Sequence, residues 1–192
     1  FALTRTEVGL LTGGAFAFGG LGLVWLGLLA DRHGRRTMMM FGTIVSSLFV
    51  TAHALTSSLA SLAAVRAGSV AFGGLLYPAT GALVAEEAPA RIRGLMTGLL
   101  QTAYPVGWFV ASLLAALLLP SFGWRVLFLT GLVSLPFVWV IRRYIRESSR
   151  LAVAEPTQQR ASVSELFAPG MRRRTLTLFA AQYCFVVAYG GT

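Results

Sequence analysis

The sequence predicts an all-α membrane protein, a polytopic helical bundle, and three observations carry that prediction. Apolar residues fill 56% of the 192 positions and charged ones only 12%, a balance suited to lipid rather than to a water-facing surface. The apolar residues fall into runs long enough to cross a bilayer. All 16 basic residues are arginines, and nearly all of them lie in the gaps between those runs or at their ends.

The net charge of +9 would point to a polyanion partner in a soluble protein. Membrane topology accounts for it more simply here, so no nucleic-acid partner is expected. The single Cys184 excludes an internal disulfide framework, and His33 and His53 are too few and too far apart for a metal cluster. Neither metal nor cofactor is expected. The chain opens on Phe1 and closes on Gly190-Gly191-Thr192 in mid-run, which reads as a fragment cut at both ends.

Six spans can be drawn, at 8–30, 37–56, 61–84, 95–118, 124–142 and 175–192. Each is about 18 to 24 residues, enough at about 1.5 Å per residue to cross a core of roughly 30 Å. Irregular backbone cannot face lipid, so the spans are expected to be helices. The gap at 31–36 carries Arg32, Arg35 and Arg36, and the gap at 85–94 carries Arg91 and Arg93. The stretch 143–174, with the end of the preceding helix, adds Arg142, Arg143, Arg146, Arg150, Arg160 and Arg172 to Arg174. The alternate gaps, 57–60 and 119–123, carry none, and only Arg5 and Arg125 lie near that side. This strict alternation assigns the loops 31–36, 85–94 and 143–174 to the cytoplasm, as in a bacterial inner-membrane protein.

The stretch 143–174 is polar and holds two prolines, which reads as a linker between two bundles, with a short interfacial helix at 163–167. The expected organisation is an N-terminal bundle at 1–142, a cytoplasmic linker at 143–174 and the first helix of a truncated second bundle at 175–192. A weak internal echo, Gly9-Leu-Leu-Thr-Gly13 and Gly94-Leu-Met-Thr-Gly98, opens two spans three helices apart that run in opposite directions, as inverted repeats would.

The most charged turn, "GLLADRHGRRTMMM" at 27–40, asks for a reason. Asp31 follows Gly27 by four residues, so both share a face on which Gly27 admits a neighbouring helix and Asp31 presents a carboxylate to it. Gly34 can take the positive φ that a tight reversal needs. A topology signal alone explains the arginines but not these spacings.

These residues resemble the major facilitator superfamily. Gly27, Asp31, Arg32, Gly34, Arg35 and Arg36 match its signature loop G-x-x-x-D-R-x-G-R-R between the second and third helices. Glu86 and Arg93-Gly94 are similar to its E-x6-R-G loop, and Arg146 to Leu151 resembles its P-E-S-P-R-W, departing at Arg146, Ser149 and Leu151 while keeping Glu147 and Arg150. The resemblance implies a partial superfamily fold, family helices two to seven, with six of twelve spans present. It also implies that Asp31 contacts the absent half of the same chain. Arg35, Glu86, Arg93, Glu147 and Arg150 would form a cytoplasmic charge network that locks the outward-facing state.

Candidate pathway residues lie within the spans. Gln101, Tyr104 and Trp108 share one face of the span 95–118, where Pro105 and Gly107 disturb the helix at mid-depth. Gln101 falls where sugar porters of the family place a substrate-binding Gln, while the Tyr-Pro-x-Gly-Trp context looks closer to symporters of carboxylates, aromatic acids and sialate. Arg66 has two readings: snorkelling to the outer headgroups, or the arginine of the family's fourth-helix R-x3-G-x3-G, in which Val70 replaces the first glycine and Gly74 keeps the second. Gln182 and Tyr183 are further candidates, aromatic packing being the alternative for Tyr183. All seven acids lie at ends or in loops, so a proton-coupling carboxylate would belong to helices outside this chain.

The expectation is a secondary active transporter, not an enzyme, working by alternating access on a small organic anion with protons as co-substrate and lipids as surroundings. Sugar porters and drug/proton antiporters are the alternatives within the superfamily. An intramembrane protease lacks its motif, since Ser69 and His53 offer neither the G-x-S-x-G setting nor a matching depth.

Overall fold

The computed structural model describes residues 4–145 and 167–190. Close contacts divide the chain into two units, 1–152 and 153–192, each described by itself.

Helix α1 (Arg5–His33) starts at a reciprocal cap: Thr4 Oγ1 accepts from the Glu7 N–H at 3.3 Å, and the Glu7 carboxylate accepts from the Thr4 N–H at 2.8 Å. One residue, Gly34, separates it from α2 (Arg35–Ala52), and its φ of 91° is the reversal expected of that glycine. Helix α2 tightens into a 3-10 turn at His53–Leu55. Ser58 and Ser61 cap the start of α3 (Leu59–Gly74) in the same reciprocal way.

The span expected at 61–84 is two helices, α3 and α4 (Leu76–Glu87), interrupted at Leu75. Pro78 supplies the cause. It has no N–H for the carbonyl of Gly74 four residues earlier, and its ring crowds that carbonyl. The gap expected at 119–123 narrows to a single residue. The stretch α5 (Arg93–Leu129) is two helical parts that meet at Gly123, which alone is non-helical at φ 73° and ψ 175°. A 3-10 segment, Thr130–Ser134, and α6 (Pro136–Tyr144) complete the first unit.

Cross-helix contacts give the directions of the helices. Along α2, Arg36, Ser47 and His53 meet Arg142, Ser134 and Phe128 in turn, so the chain after Gly123 runs antiparallel to α2. Phe49 and Arg35 of α2 meet Gly68 and Glu86, so α3 and α4 are antiparallel to it as well. Tyr77 meets Gln101, which sets the first part of α5 against α4. The chain therefore reverses at Gly123, and α5 holds parts of two spans.

By length and composition four stretches among the described residues suffice to cross a membrane: Arg5–Gly27, Arg35–Leu55, Leu59–Glu87 and the 52-residue Arg93–Tyr144. The last holds both spans on either side of Gly123. The expected final span is helical as α7 (Arg172–Gly190) but is not among the four. Three arginines fill its first turn, and Thr175, Thr177 and Gln182 dilute the remainder.

Candidate functional site

Charge gathers at one end of the first unit. Arg35 Nη1 lies 2.7 Å from Glu86 Oε1, with the two side chains 20% and 9% exposed, tying the start of α2 to the end of α4. Arg36 Nη2 donates to the Arg142 carbonyl at 2.5 Å, where the free carbonyls of a helix C-terminus favour a cation. Arg93 donates from Nε and Nη2 to the Ala88 carbonyl at 3.4 and 3.3 Å, closing the end of α4. The turn at Gly34, the loop after Glu86 and the end of α6 thus share one end, as the alternation of the arginines requires. Of the expected charge network the structure joins Arg35 to Glu86, while Arg93 serves the helix end. Glu147 and Arg150 lie outside the described residues, as do the side chains of Asp31, Arg32, Gln182 and Tyr183. A Cβ built on Gly27 would meet nothing within 4 Å, so no described helix occupies the approach expected there.

At mid-depth the first part of α5 carries a polar and aromatic face. Gln101, Tyr104 and Trp108 are all exposed, the two aromatic residues 55% and 60%. The Tyr104 and Trp108 rings sit 5.9 Å apart, tilted by 42°. Gln101 Nε2 donates to the hydroxyl of Tyr77, an α4 residue that sequence reasoning passed over. The signal was the repeated dipeptide: Tyr77-Pro78 and Tyr104-Pro105 sit on adjacent antiparallel helices. By rise per residue Tyr77 lies roughly 14 Å from Glu86 and Gln101 roughly 12 Å from Arg93, which places both groups near the middle of their spans. A groove of about 440 Å³ lies elsewhere: Val84, Glu87, Pro89, Met96 and Leu99 line it at the charged end. It is open and mostly apolar, and the chemistry that could orient a solute lies at Tyr77 and Gln101 instead.

Arg66 sits in α3, roughly 16 Å along the same span from Tyr77. It is half-buried, and its Nε is buried without a hydrogen-bond partner among the described residues, a donor that an anion could satisfy. Val70, where the resemblance called for glycine, is accommodated from across the interface. A Cβ on Gly19 of α1 would lie 2.6 Å from Val70 Cγ1, so Gly19 leaves the room that Val70 fills.

A bundle of this kind, with one charged end and a polar face at mid-depth, defines a polytopic membrane protein of the transporter type. The model of the Major Facilitator Superfamily matches residues 1–192, and the chain belongs to that family, whose members are transporters and not enzymes. The niacin transporter of Acinetobacter baylyi is 37% identical over 149 residues, 77% of this chain and 34% of its own. The cis,cis-muconate transport protein of the same organism is 29% identical over 198 residues, 99% of this chain and 48% of its own. Among solved structures the inward-open xylose transporter XylE from E. coli aligns with a TM-score of 0.61 at 20% identity, over 98% of this chain and 48% of that one. That likeness shows the fold. The chain spans about a third to a half of the length of the curated relatives it matches.

Proposed function

We propose that the protein is a secondary active transporter of a small organic anion, of the carboxylate, aromatic-acid or sialate type, taken up across the bacterial inner membrane by alternating access with protons. The observation that carries this reading is the exposed face of Tyr77, Gln101, Tyr104 and Trp108 halfway along apolar helices. Leaving hydroxyls and a carboxamide at that depth without a covering apolar layer is costly unless water or a solute meets them. The aromatic rings suit a flat or conjugated solute. Arg66 adds positive potential along the outer part of the route. Both curated relatives named above carry an acid's name, which supports an anion over a sugar. On this reading Arg35–Glu86, with Asp31 beside it in sequence, belongs to the cytoplasmic latch that opens when the two halves of the full-length protein rock apart.

The test is uptake by a full-length protein carrying this chain, reconstituted in liposomes and given labelled niacin, cis,cis-muconate and xylose under imposed pH gradients. The expected outcome is saturable uptake of a carboxylate, faster with protons higher outside, and no competition by xylose. Uptake of xylose alone, or of none of the three, would sink the proposal.

A further inference from the structure

We infer that Tyr77 is the residue that donates a hydrogen bond to the solute's carboxylate, and that Gln101 is a positioning residue acting through it. The inference rests on the transport reading above and concerns the same face.

The hydrogen count leads there. The Gln101 carboxamide turns an N–H toward the Tyr77 oxygen, and in that orientation the hydroxyl accepts. A phenolic hydroxyl also has one hydrogen to give. Among the described residues no acceptor takes it, and Tyr77 is 58% exposed. A hydroxyl that already accepts one hydrogen bond is a better donor for the next, because the two polarise each other. The strongest acceptor for such a donor is an ionised carboxylate oxygen. Gln101 by itself is a poor guide to the solute, since its amide offers both donors and acceptors. With one of its two N–H groups committed to Tyr77, Gln101 leaves the Tyr77 O–H as the donor that this bond polarises outward, and a polarised hydroxyl favours a negatively charged acceptor. Pro78 strengthens the placement: the break at Leu75 sets the turn carrying Tyr77 apart from the helix before it, against α5.

Beyond the hydroxyl the face offers the flat rings of Tyr104 and Trp108, 5.9 Å apart. Tyr104 follows Gln101 by three residues on the same side of α5. A solute whose carboxylate meets Tyr77 would lay its apolar body along those rings. The ligand class is therefore a monocarboxylate with a planar body.

The experiment measures binding of niacin and of its neutral amide, nicotinamide, to the purified full-length protein and to Tyr77→Phe, Gln101→Leu and the double variant. Tyr77→Phe should weaken niacin by about tenfold or more, as for a lost hydrogen bond to a charged group, and nicotinamide by less than about threefold. Gln101→Leu should weaken niacin less than Tyr77→Phe does, and the double variant should be no worse than Tyr77→Phe alone, since Gln101 acts through the hydroxyl. Equal losses for acid and amide would make Tyr77 merely structural and overturn the inference. A double variant as weak as the product of the two singles would overturn it too, because Gln101 would then touch the solute independently. If the parent protein binds niacin while Tyr77→Phe binds it unchanged, the inference fails and the transport reading stands. If the parent transports no carboxylate, both fall.

Discussion

Helices α2 and α5 are both long and apolar, yet they sit in opposite surroundings. In the most apolar window of Arg35–Leu55, 39% of residues are buried, against 0% for Arg93–Tyr144. Apolarity cannot be the cause. In lipid an apolar side chain gains little by leaving the tails, so helices associate through close packing and hydrogen bonds. The difference lies in small residues with partners. The Cβ positions of Gly68, Gly73 and Gly131 point at Phe49, Ser46 and Val50 of α2, whereas those of Gly94, Gly98 and Gly107 on α5 point at nothing within 4 Å. Helix α2 is the packing axis of the first unit, and the glycines on the first part of α5 meet no neighbour among the described residues.

The largest effect that could break this contrast is at Gly68. A Cβ there would run into the Phe49 ring, which is stacked on Phe72 with centroids 5.7 Å apart and 11° between planes, so the ring has little freedom to retreat. Gly68→Leu should cost about 3 kcal/mol or more, read as a large drop in thermal stability of the purified full-length protein. A variant within about 1 kcal/mol of the parent on that scale would mean that α2 is not the axis described.

A smaller effect is expected where α2 is tied down at its charged end. Glu86→Gln keeps the shape but leaves Arg35, 20% exposed, without its counter-charge. The expected cost is about 1–3 kcal/mol, between a surface pair and a buried one. Because part of this is electrostatic, the cost should shrink when salt is raised. A cost independent of salt would move its origin from charge to packing.

How much of this was legible beforehand divides along the same line. The apolar runs and the turn at Gly34 could be read from local spacing, whereas the meeting of Arg35 with Glu86, in two separate loops, was legible only through the motifs that resemble the superfamily's. The α3–α4 break was legible too, had Pro78 been read for the carbonyl it frees. The reversal between the spans 95–118 and 124–142 was legible as a gap, but its confinement to Gly123 was not, since no polar run marks that residue and only its φ does the turning. Tyr77 escaped because its role depends on which helix lies beside α4, and one sequence gives helix faces but not their neighbours. That Gly19 leaves room for Val70 needed the α1–α3 interface to be seen from both sides.

The smallest effect sharpens the contrast with like chemistry on each helix. Ser47 of α2 is buried, its Oγ 2.5 Å from the Ser134 hydroxyl and 2.5 Å from the Thr43 carbonyl. Ser134 also reaches the Gly131 carbonyl at 2.6 Å. Two hydroxyls have only two hydrogens for these three contacts, so one hydrogen is shared or alternates. The network is therefore weaker than its bond count suggests. Thr102 of α5 is exposed and donates only to the Leu99 carbonyl of its own helix, at 2.7 Å. Ser47→Ala should cost about 0.6 kcal/mol, the usual worth of a hydrogen bond between membrane helices, and less than about 1.7. Thr102→Val removes a bond that holds no second helix, and its cost should fall below about 0.3 kcal/mol. Melting curves of the two variants beside the parent would resolve the order if not the absolute values. Equal losses would show that the α5 surface is held as firmly as the α2 interface, which the exposed ring faces of Tyr104 and Trp108 argue against.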